Sequence, residues 1–115
     1  MTRFAGYAAV FDRADRSGDI IRAGAFASAS GRVPLLWEHG GRAGSVERIE
    51  EDARGLRVIG QVARTVAPGL GMSIGYRVRA ARDLPQGREL LDLDLIEVSL
   101  VRLPMQPLAR VIAVE

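Results

Sequence analysis

Apolar and polar positions along this chain of 115 residues alternate in short runs, each closed by glycine, proline or a polar cluster. A period of two is the mark of half-buried strands, whereas an amphipathic helix repeats every 3.6 residues. Phe4–Phe11 reads as a first strand, and Asp12–Asp19 as a polar loop before the extended pair Ile20-Ile21. Ala25–Ser30 has enough alanine for one or two helical turns before Gly31. Val33–Trp37 is the second major strand, running out at Glu38 and His39 into the glycines Gly40, Gly41 and Gly44. Ser45–Glu50 and Leu56–Arg64 form an antiparallel hairpin around Glu51–Gly55. After the breaker cluster Val66–Gly71, Ser73–Ala80 and Arg88–Leu95 form a second hairpin about a turn at Asp83–Gly87.

In the last arm Leu91, Leu93 and Leu95 alternate with Asp92 and Asp94. From Ile96 to Val101 both faces become largely apolar, so the strand passes from an edge into the core. Pro104 and Pro107 break it, and Arg110–Val114 supplies a short final strand. Seven or eight strands with almost no helix predict a small antiparallel β-barrel or sandwich, carrying one or two short helices. The length suits one domain spanning residues 1–115.

Composition narrows the function classes. Apolar residues make up 48% of the chain, which excludes a disordered composition, and there is no cysteine for a disulfide or a thiolate metal site. No uncharged run approaches the roughly 18 residues of a membrane span, and the N-terminus does not read as a signal peptide, so a cytoplasmic protein is expected. All 16 basic residues are arginine, and the net charge is only +2. Arginine pairs well with phosphate, so an arginine-rich β-domain that binds nucleic acid is one reading. The arginines are scattered among 14 acids, and no basic run accompanies the few aromatic residues that could stack on bases, so a solvated surface is the plainer one.

The candidate chemistry lies in three polar residues that end or interrupt apolar strands: His39, Ser73 and Glu97. A serine in a strand is ordinarily a small polar residue, and a lone histidine is ordinarily structural or exposed. Together they have another use, because a hydroxyl becomes a good nucleophile only when a base takes its proton, and His39 is the only imidazole. Gly69, Gly71 and Gly75 leave backbone room for a substrate beside Ser73. Glu97 stands in the apolar run Leu95–Val101, where a buried carboxylate must be paired or protonated. Its partner is either an arginine, which would make it structural, or His39, which would make it the orienting member of a triad. Glu38 would point to the opposite face of its strand, and Asp92 and Asp94 are read as solvent-facing.

The ordered blocks Phe4–Asp12, Gly18–Phe26, Val33–His39, Ser73–Tyr76 and Glu97–Val101, with Pro104 following, resemble the prohead (capsid maturation) proteases of HK97-type tailed phages, which are similar to the herpesvirus assemblins. The resemblance covers nearly the whole chain. It implies a serine peptidase on a small assemblin-like β-barrel, with His39 as base, Ser73 as nucleophile and Glu97 in the third position. It also implies a capsid protein or scaffold segment as substrate, a possible homodimer, work inside the procapsid in the bacterial cytoplasm, and no metal or organic cofactor. Gene transfer agents carry similar genes. Backbone N–H groups near Gly75 or in Arg102–Gln106, with the Gln106 amide as a further option, would hold the oxyanion.

Two departures stand out. Family members carry a longer, helix-containing segment before the nucleophile, where this chain has only Thr65–Met72. The usual Pro-x-Asn-Pro is Pro104-Met-Gln-Pro107 here. The first of these supports an alternative, in which a shortened, inactive protease-fold protein serves as a structural or assembly component of a phage-like particle.

Overall fold

The computed structural model describes residues 1–29 and 32–115. Eight strands follow one another: β1 (Thr2–Val10), β2 (Ile20–Ile21), β3 (Leu35–Trp37), β4 (Arg42–Glu51), β5 (Gly55–Val62), β6 (Gly71–Leu84), β7 (Gly87–Val101) and β8 (Val111–Val114). Both hairpins expected from the turn signals are present. β4 pairs antiparallel with β5, and β6 with β7 through the Leu84–Gly87 turn.

The sheet is mixed and open rather than an antiparallel barrel. Its order is β2-β7-β3-β4-β5-β1-β8, with β6 on β7. β2 and β3 both run parallel to β7, at Glu89–Leu90 and at Val98–Leu100. Parallel neighbours need a crossover, and here the chain passes through β4, β5 and β6 between β3 and β7. Closure would need a continuous ladder between β6 and β8. Among the described residues there is only an isolated bridge, Gly71 with Arg110, because β8 is four residues long and β6 turns away along β7.

The expected helical turns at Ala25–Ser30 are not found among the described residues, and Ser30 and Gly31 lie outside them. Instead, the N–H groups of Ala25, Ala27 and Ala29 bond to carbonyls three residues back, in successive turns. The Glu51 carboxylate takes the N–H groups of Gly24 and Phe26 at 2.8 and 2.7 Å, holding the segment across the sheet. Phe26 is buried and stacks on Phe11 at 6.5 Å. A tether of this kind suits a chain too short to recover the cost of helix nucleation.

The core gathers Phe4, Leu35, Leu56, Val58, Met72, Leu93, Val98 and Leu100. β-Bulges decide which residues of β7 join it. Tyr76 faces Leu95 and Gly75 faces Glu97, which leaves Ile96 as an extra, exposed residue. A second irregularity places Leu90 in the core and exposes Leu91, where strict alternation would have buried Leu91 with Leu93.

The far end of the β6–β7 hairpin is pinned to the loop before β2. Arg88 donates to both carboxylate oxygens of buried Asp19, at 2.8 Å from Nη2 and 3.4 Å from Nε, and its N–H adds a third bond at 3.0 Å. These bonds hold the Asp19 carboxyl below the usual carboxylate range. A carboxylate whose pKa is lowered by folding adds stability above its unfolded pKa, and that stability is lost as pH falls through the folded value. Asp19→Asn should therefore be less stable than wild type at neutral pH, with the difference shrinking below about pH 4. Urea unfolding at a series of pH values checks this, and a difference independent of pH would show that the pair does not contribute through ionisation.

Candidate active site

His39 is placed by a strained hairpin turn. β3 ends at Trp37, the Gly40 N–H bonds to the Trp37 carbonyl at 2.9 Å, and Glu38 and His39 between them have φ values of 50° and 59°. Two consecutive left-handed residues closed by that bond make a type I′ turn, which glycine or asparagine ordinarily occupies. Non-glycine residues in this conformation cost roughly 1–3 kcal/mol each and persist only where surrounding contacts enforce them. Because Glu38 belongs to the turn and not to a strand, strand alternation does not place it. Its N–H bonds to the Leu100 carbonyl at 2.9 Å, and its carboxylate accepts from the Arg102 N–H at 3.2 Å.

The turn brings His39 over β7. Its Nδ1 lies 2.6 Å from Glu97 Oε1, and its N–H donates to Ser99 Oγ at 3.1 Å. Ser99 Oγ in turn donates to Glu97 Oε2 at 2.6 Å. The imidazole is about half exposed, at 48%, whereas the Glu97 side chain is at 11%. Among the described residues no arginine reaches Glu97, so its two oxygens go to a histidine and a serine. A ring proton on Nδ1 would make this contact a hydrogen bond to the carboxylate and leave Nε2 as the second ring nitrogen.

Ser73 is the third residue of β6 and lies directly opposite Ser99, while Gly75 lies opposite Glu97. Directly opposed residues project to the same face, so Ser73, Ser99 and Glu97 share one face of the β6–β7 ladder. Met72–Leu100 and Ile74–Val98 alternate with them and face the core. Among the described residues no hydrogen bond joins Ser73 to His39. The two side chains line one cleft of about 120 Å³ together with Ala8, Ile21, Ile74, Tyr76 and Met105. Burial, with help from the Asp15 and Asp19 carboxylates, pushes the Tyr76 hydroxyl above its ordinary pKa. A separate cleft of about 220 Å³ around Arg3, Arg57 and Val114 contains neither serine nor histidine.

Two sequence readings change, and one residue of the site was missed. The room at Gly75 is not open to a substrate, because a Cβ there would lie 2.7 Å from Glu97 Oε1 and 2.9 Å from its Cγ. Gly75 is small so that the carboxylate can lie across it. The Gln106 amide is committed elsewhere: Oε1 accepts from the Val10 N–H at 2.8 Å, and Nε2 donates to the Val10 and Arg13 carbonyls. That pairing continues the end of β1 and leaves no amide donor for an oxyanion. Ser99 was not singled out by sequence, although a serine two residues beyond Glu97 in an apolar strand had the spacing to share its face.

Comparisons with known proteins give the family. A family described as caudovirus prohead serine protease matches residues 1–115. The chain belongs to this family. The prohead protease of Enterobacteria phage HK97 is 31% identical over 136 aligned positions, which take in 97% of this chain and 60% of that relative. The chain thus spans about 60% of the length of the phage relative it matches. The alignment is longer than the 115 residues present here, so the relative carries extra residues within the matched span. No helix among the described residues of this prohead-protease family member is long and apolar enough to cross a membrane.

Gly75→Ala should push the Glu97 carboxylate away from His39, since the new methyl would meet carboxylate and stem atoms closer than real Cβ contacts allow. A crystal structure of the variant should show the 2.6 Å Nδ1–Oε1 contact lengthened beyond hydrogen-bonding distance, with the strand pairing kept. An unchanged contact would show that the strands can shift to accommodate the methyl.

Proposed function

We propose that this chain is a serine endopeptidase that cuts a capsid protein or scaffold segment inside the procapsid of a tailed-phage-like particle. Ser73 serves as nucleophile, His39 as general base and Glu97 as the orienting acid. The observation that carries the proposal is the contact of His39 Nδ1 with the buried Glu97 carboxylate, while the same imidazole shares a cleft with Ser73. Membership of a serine protease family supports it independently.

In the proposed reaction His39 Nε2 takes the Ser73 proton as Oγ attacks the scissile carbonyl carbon. The same proton then passes to the leaving amine as the C–N bond breaks, and water hydrolyses the acyl-enzyme by the reverse sequence of transfers. Glu97 keeps Nδ1 protonated and supports the imidazolium that forms. Backbone N–H groups near Gly75, or in the segment after β7, are the available oxyanion donors now that Gln106 is committed. A serine–histidine contact absent before substrate arrives is compatible with this chemistry, since such bonds tighten in the substrate complex.

One observation favours a second reading, an inactive structural or assembly component. The connection from β5 to β6 is short and tied down: the Gly69 N–H bonds to the Val111 carbonyl and the Val111 N–H to the Leu70 carbonyl, both at 2.8 Å. No helix is present there to frame a substrate groove, and without positioning a triad loses much of its advantage.

Co-expression with the cognate capsid protein separates the two readings. Wild type should shorten the capsid protein, whereas Ser73→Ala and His39→Ala should leave it intact, because members of a triad act as a unit and each loss costs orders of magnitude in rate. A folded, particle-incorporated wild type that leaves the capsid protein uncut would establish the structural reading. Glu97→Gln should lower turnover by about 10⁴-fold if Glu97 orients the ring, as for the equivalent change in a serine protease triad. A structural carboxylate would instead show its loss chiefly in Tm, so turnover and Tm measured on one preparation distinguish the roles.

A further inference from the structure

We infer that Ser99 is a positioning residue of this site, holding Glu97 and the His39 turn in the geometry that turnover requires; the inference rests on the peptidase reading above. Ser99 is fully buried, at 0% exposure, in the middle of β7. A buried hydroxyl is retained only where its hydrogen bonds are made. Here its oxygen accepts from the His39 N–H at 3.1 Å, and its one proton goes to Glu97 Oε2 at 2.6 Å. Glu97 Oε1 contacts His39 Nδ1 at 2.6 Å, so a closed ring of contacts runs from the His39 backbone through Ser99 and Glu97 to the His39 ring.

Each part of the ring has a separate consequence. The bond to one oxygen fixes the plane of the carboxylate, which holds the other oxygen against the imidazole. The bond from the His39 N–H restrains the second left-handed residue of the strained turn, at φ 59°. Without the hydroxyl the carboxylate could rotate and the turn could relax, and both changes move Nε2 relative to Ser73. Ser99 does not line the cleft, and its hydroxyl is spent on His39 and Glu97 rather than on Ser73 opposite it, so its influence passes through those two residues. The same hydroxyl would be inert if Ser99 merely filled space, because Val and Thr side chains have nearly the same shape.

That isosteric pair is the test. Ser99→Thr and Ser99→Val add the same bulk to a buried site, and only Thr keeps the hydroxyl. With a peptide taken from the processed capsid protein, the Val variant should show kcat lower than the Thr variant by on the order of 10- to 100-fold, with KM changed little, as a misplaced base predicts. His39 is the only histidine in the chain, so the imidazole N–H region of an NMR spectrum contains one residue. The low-field Nδ1–H resonance should persist in the Thr variant and disappear or broaden in the Val variant. Equal kcat for the two variants overturns the inference, as does a loss of kcat with an unchanged Nδ1–H resonance. Should neither fold, Ser99→Ala removes the oxygen without added bulk and is read against wild type by the same criteria. A wild type that cuts nothing removes the peptidase reading alone, and the resonance still decides whether Ser99 holds the ring.

Discussion

A carboxylate taken out of water sets the terms for this structure. Leaving Glu97 buried and unpaired would cost several kcal/mol, and no arginine among the described residues answers it. The local structure is arranged to supply other partners. Gly75 leaves space across the ladder, Ser99 takes one oxygen, and a turn of two left-handed residues carries His39 to the other. The contacts among His39, Ser99 and Glu97 offset both the strain in the turn and the burial of the acid. Each would be unfavourable alone, and together they hold a basic nitrogen at a cleft.

β7 makes this possible by serving two environments at once. One face of its C-terminal half packs Val98 and Leu100 into the core, while the other presents Glu97 and Ser99 to Ser73 and Gly75 of β6. The extra residue Ile96 allows both. Without that bulge the face carrying Leu93 and Leu95 would continue through Glu97 and Ser99 and drive them into the core. The cleft is lined by residues of both faces of β6, which places it along that strand's unpaired edge beyond Met72. An open edge is a natural receptor for an extended peptide, since its backbone groups are free to pair.

Side chains complete pairings that the backbone leaves unfinished. Gln106 acts as one more rung at the end of β1, Glu51 caps the turns after β2, and Asp19 ties the β6–β7 hairpin to the loop before β2. Many of the arginines are spent in the same way, on Glu47, Glu89, Asp19 and the acids of neighbouring strands.

By itself the sequence determined the order and approximate extent of the strands, both hairpins and the burial of Glu97, and it singled out His39, Ser73 and Glu97, which the fold brings near one another. These follow from local properties: a period of two, turn-forming glycines and prolines, and the misfit of a carboxylate in Leu95–Val101. Blocks such as Val33–His39 and Glu97–Val101 also carried the family resemblance. Only the tertiary structure decided that β2 and β3 lie parallel to β7, that the sheet stays open, and that Ala25–Ala29 forms tethered turns. Non-local pairing is not written in the periodicity of either partner. For the same reason the sequence could not assign Gly75, Gln106 and Ser99 their roles. Each depends on a residue brought opposite by the register of another strand or loop, and a single bulge at Ile96 reverses which face a side chain occupies.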